Sequence, residues 1–235
     1  MALDLEPEGG GTVSWNAPTR VIFPAWVDPA VKGAIALALA GGGYVTLLVA
    51  FGASPKTTDV GYAPVQPVPY SHALHVGELG LDCRYCHTGV ETGAKANIPP
   101  TQTCMNCHSK VLTDSPLLAP VRESARTGRS VEWVRVHDLP DYVFFDHSAH
   151  VMRGVGCEEC HGRVDTMEVV RQEETLSMAW CVDCHRHPEE RVRPPEQVTH
   201  MGWAPPGDQD RAEFGRDFVR RNHISPATDC STCHR

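Results

Sequence analysis

Apolar positions bunch early in the chain rather than alternating along it. Lys32 is the last charge before Gly33 to Ser54, 22 residues without a charged side chain (GAIALALAGGGYVTLLVAFGAS). At 1.5 Å per residue a helix of this length spans roughly 33 Å, enough for the hydrocarbon core of a bilayer. A signal peptide is shorter and sits within about the first 15–30 residues, whereas this run follows a polar, partly acidic head. The pattern predicts a retained transmembrane helix over 31–54 with segment 1–30 on the cytoplasmic side. Gly41, Gly42 and Gly43 would suit close packing against another helix, which implies partners in the membrane. Pro55 to Tyr70 (PKTTDVGYAPVQPVPY) is rich in turn residues and reads as an extended Pro-rich connector over 55–70. From 71 to 235 no long amphipathic period survives. Asp208 to Arg221 is a short helix candidate, and the remainder reads as loops and turns around Cys pairs.

One repeat is visible in that last region. Tyr70-Ser71-His72-Ala73-Leu74-His75 and Phe145-Asp146-His147-Ser148-Ala149-His150 lie 75 residues apart, and each precedes two Cys pairs spaced 21 or 24 residues from one another. The arrangement predicts a duplicated two-site unit with a fifth site appended near the C-terminus.

Composition then changes what the interior must be made of. Aromatics are 7% of the chain, while Gly (20) and Pro (19) are abundant, so side chains alone make a thin core. All ten Cys follow the connector, and the chain has thirteen His. A net charge of -8 without a Lys/Arg block argues against nucleic acid as a partner.

Every Cys belongs to a C-x-x-C-H: Cys83/Cys86/His87, Cys104/Cys107/His108, Cys157/Cys160/His161, Cys181/Cys184/His185 and Cys230/Cys233/His234. Two thiols three residues apart on a helical turn can add to the two vinyl groups of one haem, and the adjacent His then turns its imidazole to the iron. Paired C-x-x-C also builds zinc sites. Chance would place a His after all five pairs about once in two million sequences of this composition, and zinc has no need of it. The pattern therefore predicts five covalent haem c groups. Such haems are attached outside the cytoplasmic membrane, so the Cys-rich domain, 71–235, is expected on the periplasmic side. Arg20 and Lys32 against Lys56 give little positive-inside signal, so orientation rests on the haems.

An iron that only carries electrons needs a sixth ligand. Eight His lie outside the motifs: His72, His75, His137, His147, His150, His187, His200 and His223. The H-x-x-H pairs His72/His75 and His147/His150 recur before a haem site, and residues three apart on one helical face can serve two neighbouring haems. These four are the expected distal ligands. One haem then lacks a partner, for which Met201 and Met178 are the thioether candidates, with His200 and His223 behind them. On spacing, Met178 lies too near Cys181 to cap that site's own haem easily, which favours Met201. The expected fold is a multihaem c-type cytochrome: short α-helices and loops wrapped around stacked haems in the 165 residues from 71 to 235, little β-structure, and one N-terminal transmembrane helix.

With these residues in place, the chain resembles the pentahaem cytochrome subunit of alternative complex III, a bacterial quinol-oxidising membrane complex. The likeness rests on the order of parts: the membrane helix, the Pro-rich connector, the two H-x-x-H units, Met178-Ala179-Trp180-Cys181-Val182-Asp183-Cys184-His185-Arg186, and the terminal Cys230-Ser231-Thr232-Cys233-His234-Arg235. The resemblance implies an electron-transfer subunit that is no enzyme by itself. It would sit in the bacterial inner membrane within a respiratory or photosynthetic assembly, taking electrons from quinol through an iron–sulfur subunit and passing them to a cytochrome or oxidase. The alternative is a membrane-anchored quinol dehydrogenase feeding a periplasmic reductase, but such proteins begin their haem sites soon after the helix. A multihaem reductase would need an open iron, and no C-x-x-C-K or other deviant motif is present.

Overall fold

The structure is a computed structural model that describes residues 23–52 and 57–234. Ser54, Pro55, Lys56 and residues 1–22 of the expected cytoplasmic segment, Arg20 among them, lie outside the described residues. The chain divides into two units, Met1–Gly52 and Ala53–Arg235.

The described part of the first unit is essentially one helix, α1 (Val27–Gly52), with no buried residue. It begins at Val27 rather than at residue 31. Asp28 in its first turn complements the positive end of the helix dipole and pairs with Lys32 at 2.7 Å, one turn on, so two charges extend the helix beyond the apolar run. Leu37, Leu39, Leu47 and Phe51 are exposed. A 26-residue helix spans about 39 Å and is long and apolar enough to cross a membrane.

The second unit is built of short helices: α2 (Cys83–Cys86), α3 (Thr101–His108), α4 (Ala119–Thr127), α5 (His147–Val151), α6 (Glu158–His161), α7 (Met178–Arg186), α8 (Arg211–Arg221) and α9 (Cys230–Cys233). A π-helical turn covers Ala73–Glu78. Among the described residues there is no strand, only isolated antiparallel bridges at Val143/His234 and Val155/Val192. The largest apolar cluster is small: Val192, Trp203, Phe214 and Phe218, with Val219 and Ile224 against it. α8 supplies its two Phe residues by packing on the 3₁₀ turn Pro188–Glu190, so closely that a Cβ on Gly215 would lie 1.7 Å from the Glu189 carbonyl oxygen.

Three differences from the sequence reading follow from helix caps and from long-range contacts. α8 starts at Arg211 rather than Asp208 because Asp210 is its N-cap, accepting from the Glu213 amide. α4, which the apolar period does not announce, opens with Pro120 in its first turn and closes on left-handed Gly128. The connector is not free chain. Gly61 and Tyr62 exchange backbone hydrogen bonds with Gln172, Gln66 bonds both backbone groups of Val134, and Val68 is buried.

Candidate functional site

Each C-x-x-C-H opens or occupies a short helix, and at three of the five a side chain caps its start. Asp82 caps α2, Ser177 caps α7 and Asp229 caps α9, each accepting from a backbone amide in the first turn. The sites are numbered in chain order: site 1 holds Cys83, Cys86 and His87, site 2 Cys104, Cys107 and His108, site 3 Cys157, Cys160 and His161, site 4 Cys181, Cys184 and His185, and site 5 Cys230, Cys233 and His234. All ten thiols are free, and among the described residues no three His, Cys, Asp or Glu converge as a metal-ion cage requires.

The imidazoles meet in pairs. His72 faces His87 with ring centres 6.5 Å apart and planes 4° from parallel, and His147 faces His161 at 6.4 Å and 3°. His75 and His108 stand 6.2 Å apart at 61°, and His150 and His185 6.1 Å apart at 43°. An iron holding two imidazole nitrogens at about 2.0 Å each puts the ring centres about 6.3 Å apart, so the four gaps fit a haem iron between the rings. The first His of each H-x-x-H meets the first C-x-x-C-H of its unit, and the second His meets the second.

Hydrogen bonds leave the outer ring nitrogens free for that purpose. Nδ1 donates to a backbone carbonyl in His87 (Asn97, 2.8 Å), His108 (Val111, 3.1 Å), His185 (Ala227, 2.7 Å), His234 (Tyr142, 3.3 Å), His75 (Ser71, 2.8 Å), His147 (Ala94, 2.8 Å) and His150 (Asp146, 2.7 Å). A carbonyl only accepts, so each Nδ1 carries the proton and each Nε2 presents a lone pair. His72 Nδ1 is buried without a partner. Burial, then His87 and His75, brings His72 down to about 4. Burial, then the surrounding His137, His147, His87 and His72, brings His161 down to about 3. Both are neutral at physiological pH, the state that can ligate iron.

His161 departs from the carbonyl pattern. Its Nδ1 meets His137 Nε2 at 3.3 Å, with the rings edge to face at 4.4 Å. His137, a distal-ligand candidate on sequence, therefore backs a ring that already faces His147. His187 sits beside Asp183 at 3.3 Å, and His200 Nδ1 beside Gln197 Oε1 at 3.0 Å. Exposed His223 lies just past α8. Of the two thioethers, Met201 is half-buried next to Gly202, whose amide donates to Glu158 of α6, and so belongs to the surroundings of site 3. Met178 is the first residue of α7 and 71% exposed, on the helix whose Cys181 lies by Cys233 of site 5.

Sequence reasoning assigned no part to Tyr70 or Phe145. Tyr70 touches His72 edge-on at 4.8 Å and stacks on His75 at 4.4 Å, and Phe145 meets His147 and His150 in the same way at 4.9 and 4.6 Å. Each aromatic wedges apart the two imidazoles of an H-x-x-H. The signal was present as an aromatic residue two positions before the first His in both repeats. Burial, then the Cys86, Cys104 and Cys83 thiols, raises the Tyr70 hydroxyl above its ordinary value, so it stays protonated.

Residues 143–235 match the family described as cytochrome c7 and related cytochrome c. Over 97 residues the chain is 41% identical to the multiheme cytochrome c subunit of menaquinone reductase from Nitratidesulfovibrio vulgaris strain Hildenborough. That match covers 41% of this chain and 45% of the relative. Repeated C-x-x-C-H helices, facing imidazoles, little side-chain core and these likenesses together identify a multihaem c-type cytochrome domain.

Proposed function

We propose that the chain is the pentahaem, electron-carrying subunit of a membrane complex that oxidises quinol, of the alternative complex III kind. In this reading α1 anchors it in the bacterial cytoplasmic membrane, 1–30 faces the cytoplasm and 71–235 lies in the periplasm. An iron–sulfur subunit delivers electrons, and a cytochrome or oxidase accepts them. Haem iron supplies a reversible one-electron change. The chain's task is to attach, ligate and insulate it. The observation that carries the reading is the set of four facing imidazole pairs, which would hold the iron from both sides at sites 1 to 4 and so favours electron carriage over substrate binding. At site 5, His234 supplies one ligand. Met178 is the better second ligand than Met201, because its helix adjoins Cys233 while Met201 adjoins α6. A thioether there raises the potential of site 5 above the others and makes it the exit.

The likeness to a menaquinone reductase subunit favours a second reading, in which electrons run toward a quinone. Purification of the complex from native membranes in mild detergent, with its subunits identified, separates the two. Quinol-dependent reduction of the haems supports the first. Haem-dependent reduction of added quinone without quinol oxidation overturns it. Intact mass should exceed the polypeptide by five haems, about 3 kDa. The far-red thioether-to-iron band should vanish in Met178→Ala and persist in Met201→Ala.

A further inference from the structure

The order of the sites in space differs from their order in the chain. We propose that the attachment sites stand in single file as 2, 1, 3, 4, 5, so that the two duplicated units join through their first sites and the file ends at sites 2 and 5. The proposal rests on the reading that every C-x-x-C-H carries a haem.

The contacts build the file link by link. Between sites 2 and 1, the Tyr70 ring touches both His75, which faces His108, and His72, which faces His87. Cys86 of site 1 and Cys104 of site 2 are near enough to influence one another. Between sites 1 and 3, the Cys83 and Cys157 thiols lie beside each other. In the loaded protein these sulfurs are thioethers, so their contact stands for two adjacent haem edges. The backbone binds the same two sites. His147 Nδ1 donates to Ala94 O and the Ser148 amide to Gly93 O, in the loop that also supports His87. Thr199 Oγ1 donates to Asp82 at 2.8 Å, while the neighbouring Val198 carbonyl accepts from the Cys157 amide.

Between sites 3 and 4, Phe145 repeats the role of Tyr70, touching His147 and His150, which face His161 and His185. Cys160 lies by Cys184 and Cys181. Between sites 4 and 5, Cys181 lies by Cys233, and the proximal His185 donates to Ala227 just ahead of Cys230. Among the described contacts, no bond or ring pair joins the Cys or axial His of site 2 to those of sites 3, 4 or 5.

Consequently an external donor or acceptor meets the file at site 2 or site 5, and the middle sites are reached only through neighbours. The direct test uses the full-length, haem-loaded chain in mild detergent, with five attached haems confirmed by mass in each sample. A mass short of five haems overturns the reading beneath the proposal, whereas a wrong order shows itself with all five present. His72→Met, His75→Met, His147→Met and His150→Met each raise one site's potential. Poising each variant beside the wild type at one potential then shows the one further site that is reduced, and the resonances of its immediate neighbours change with it. The file predicts one perturbed neighbour for His75→Met and two for each of the other three. Two neighbours for His75→Met, or one for His147→Met, overturns it. If a Met variant loses its haem, the wild-type protein still decides. In the fully reduced, diamagnetic state, through-space proton couplings should link haems 2–1, 1–3, 3–4 and 4–5, and a coupling between haems 2 and 3 or 1 and 5 would contradict the order.

Discussion

In the first copy of the duplicated unit the residue before the first Cys is Asp82, a half-exposed N-cap bonded to Arg84 and Thr199. In the second copy that position is Gly156, where a Cβ would lie 2.3 Å from the guanidinium carbon of Arg193. Arg193 is fully buried, bound to Glu158 at 2.7 Å, Glu159 at 2.6 Å and the His200 carbonyl at 3.0 Å, and it lies over the Trp203 ring. One copy is thus held from the surface and the other from an ionic interior. The distal His pair differs as well, riding a π-helical turn in the first copy and α5 in the second. Yet the ring separations agree, 6.5 and 6.2 Å against 6.4 and 6.1 Å. What the copies share is the H-x-x-H spacing, the aromatic wedge, and a second His whose Nδ1 donates to the carbonyl four residues back. Those three features set the ligand geometry, and the helix type beneath them is free to vary.

The largest expected effect comes from removing the interior lock. Arg193→Leu leaves Glu158 with the Gly202 amide, while Glu159 keeps Arg191 and Arg211, so the loss should approach the lower end of the roughly 3–5 kcal/mol of a broken buried pair. Thermal unfolding of the loaded protein should register that loss, with sites 3 and 4 disturbed before sites 1 and 2. Asp82→Ala should cost about 1 kcal/mol, the value of a cap. If the two variants cost the same, the contrast between surface and interior support is wrong.

Next in size is the ligand scan. His72→Ala, His75→Ala, His147→Ala and His150→Ala should each convert one low-spin haem to a five-coordinate, high-spin form that binds carbon monoxide. Unchanged spectra for any one variant would remove that residue from the ligand set. A smaller effect isolates the one proximal His that lacks a carbonyl partner. Without an acceptor on Nδ1 the imidazole is less basic and favours ferric iron less. His137→Ala should therefore raise the potential of site 3 alone by about 20–60 mV, the one-electron equivalent of a 0.5–1.5 kcal/mol hydrogen bond. His137→Gln, which can still accept, should restore most of it.

Covalent chemistry and period made much of this legible in advance. C-x-x-C-H states its own cofactor, 22 uncharged residues state a helix long and apolar enough to cross a membrane, and the absence of a long amphipathic period states a domain without a conventional core. The H-x-x-H spacing pointed to residues that do face the motif imidazoles. What stayed hidden depends on long-range contact. His137 meets His161 across 24 residues, Arg193 meets Glu159 across 34, and Asp82 meets Thr199 across 117, so no local period records them. Spacing along the chain likewise could not weigh Met201 against Met178, because nearness to Cys181 in sequence says nothing about nearness in space to Cys233.

The smallest effect is a pH dependence that the first copy has and Gly156 cannot have. Hydrogen bonding from the Arg84 side chain is the main cause holding the Asp82 carboxyl at about 2 rather than its ordinary 3.8, with burial opposing it and Thr199 assisting. A carboxyl depressed in the folded state contributes stability that is complete above its unfolded value and is lost as pH falls through its folded value. The contribution from Asp82 is therefore whole above about pH 4 and fades toward pH 2. Its side chain is 45% exposed, so solvent screening limits the amount to about 1 kcal/mol. The loaded wild-type protein should exceed Asp82→Asn in unfolding temperature at pH 6, and the gap should close by pH 2. Moderate salt should narrow it at pH 6 by screening the pair with Arg84. A gap that persists undiminished at pH 2 would mean that Asp82 acts only as a neutral hydrogen-bond acceptor for α2, and the first copy would then owe nothing to surface charge.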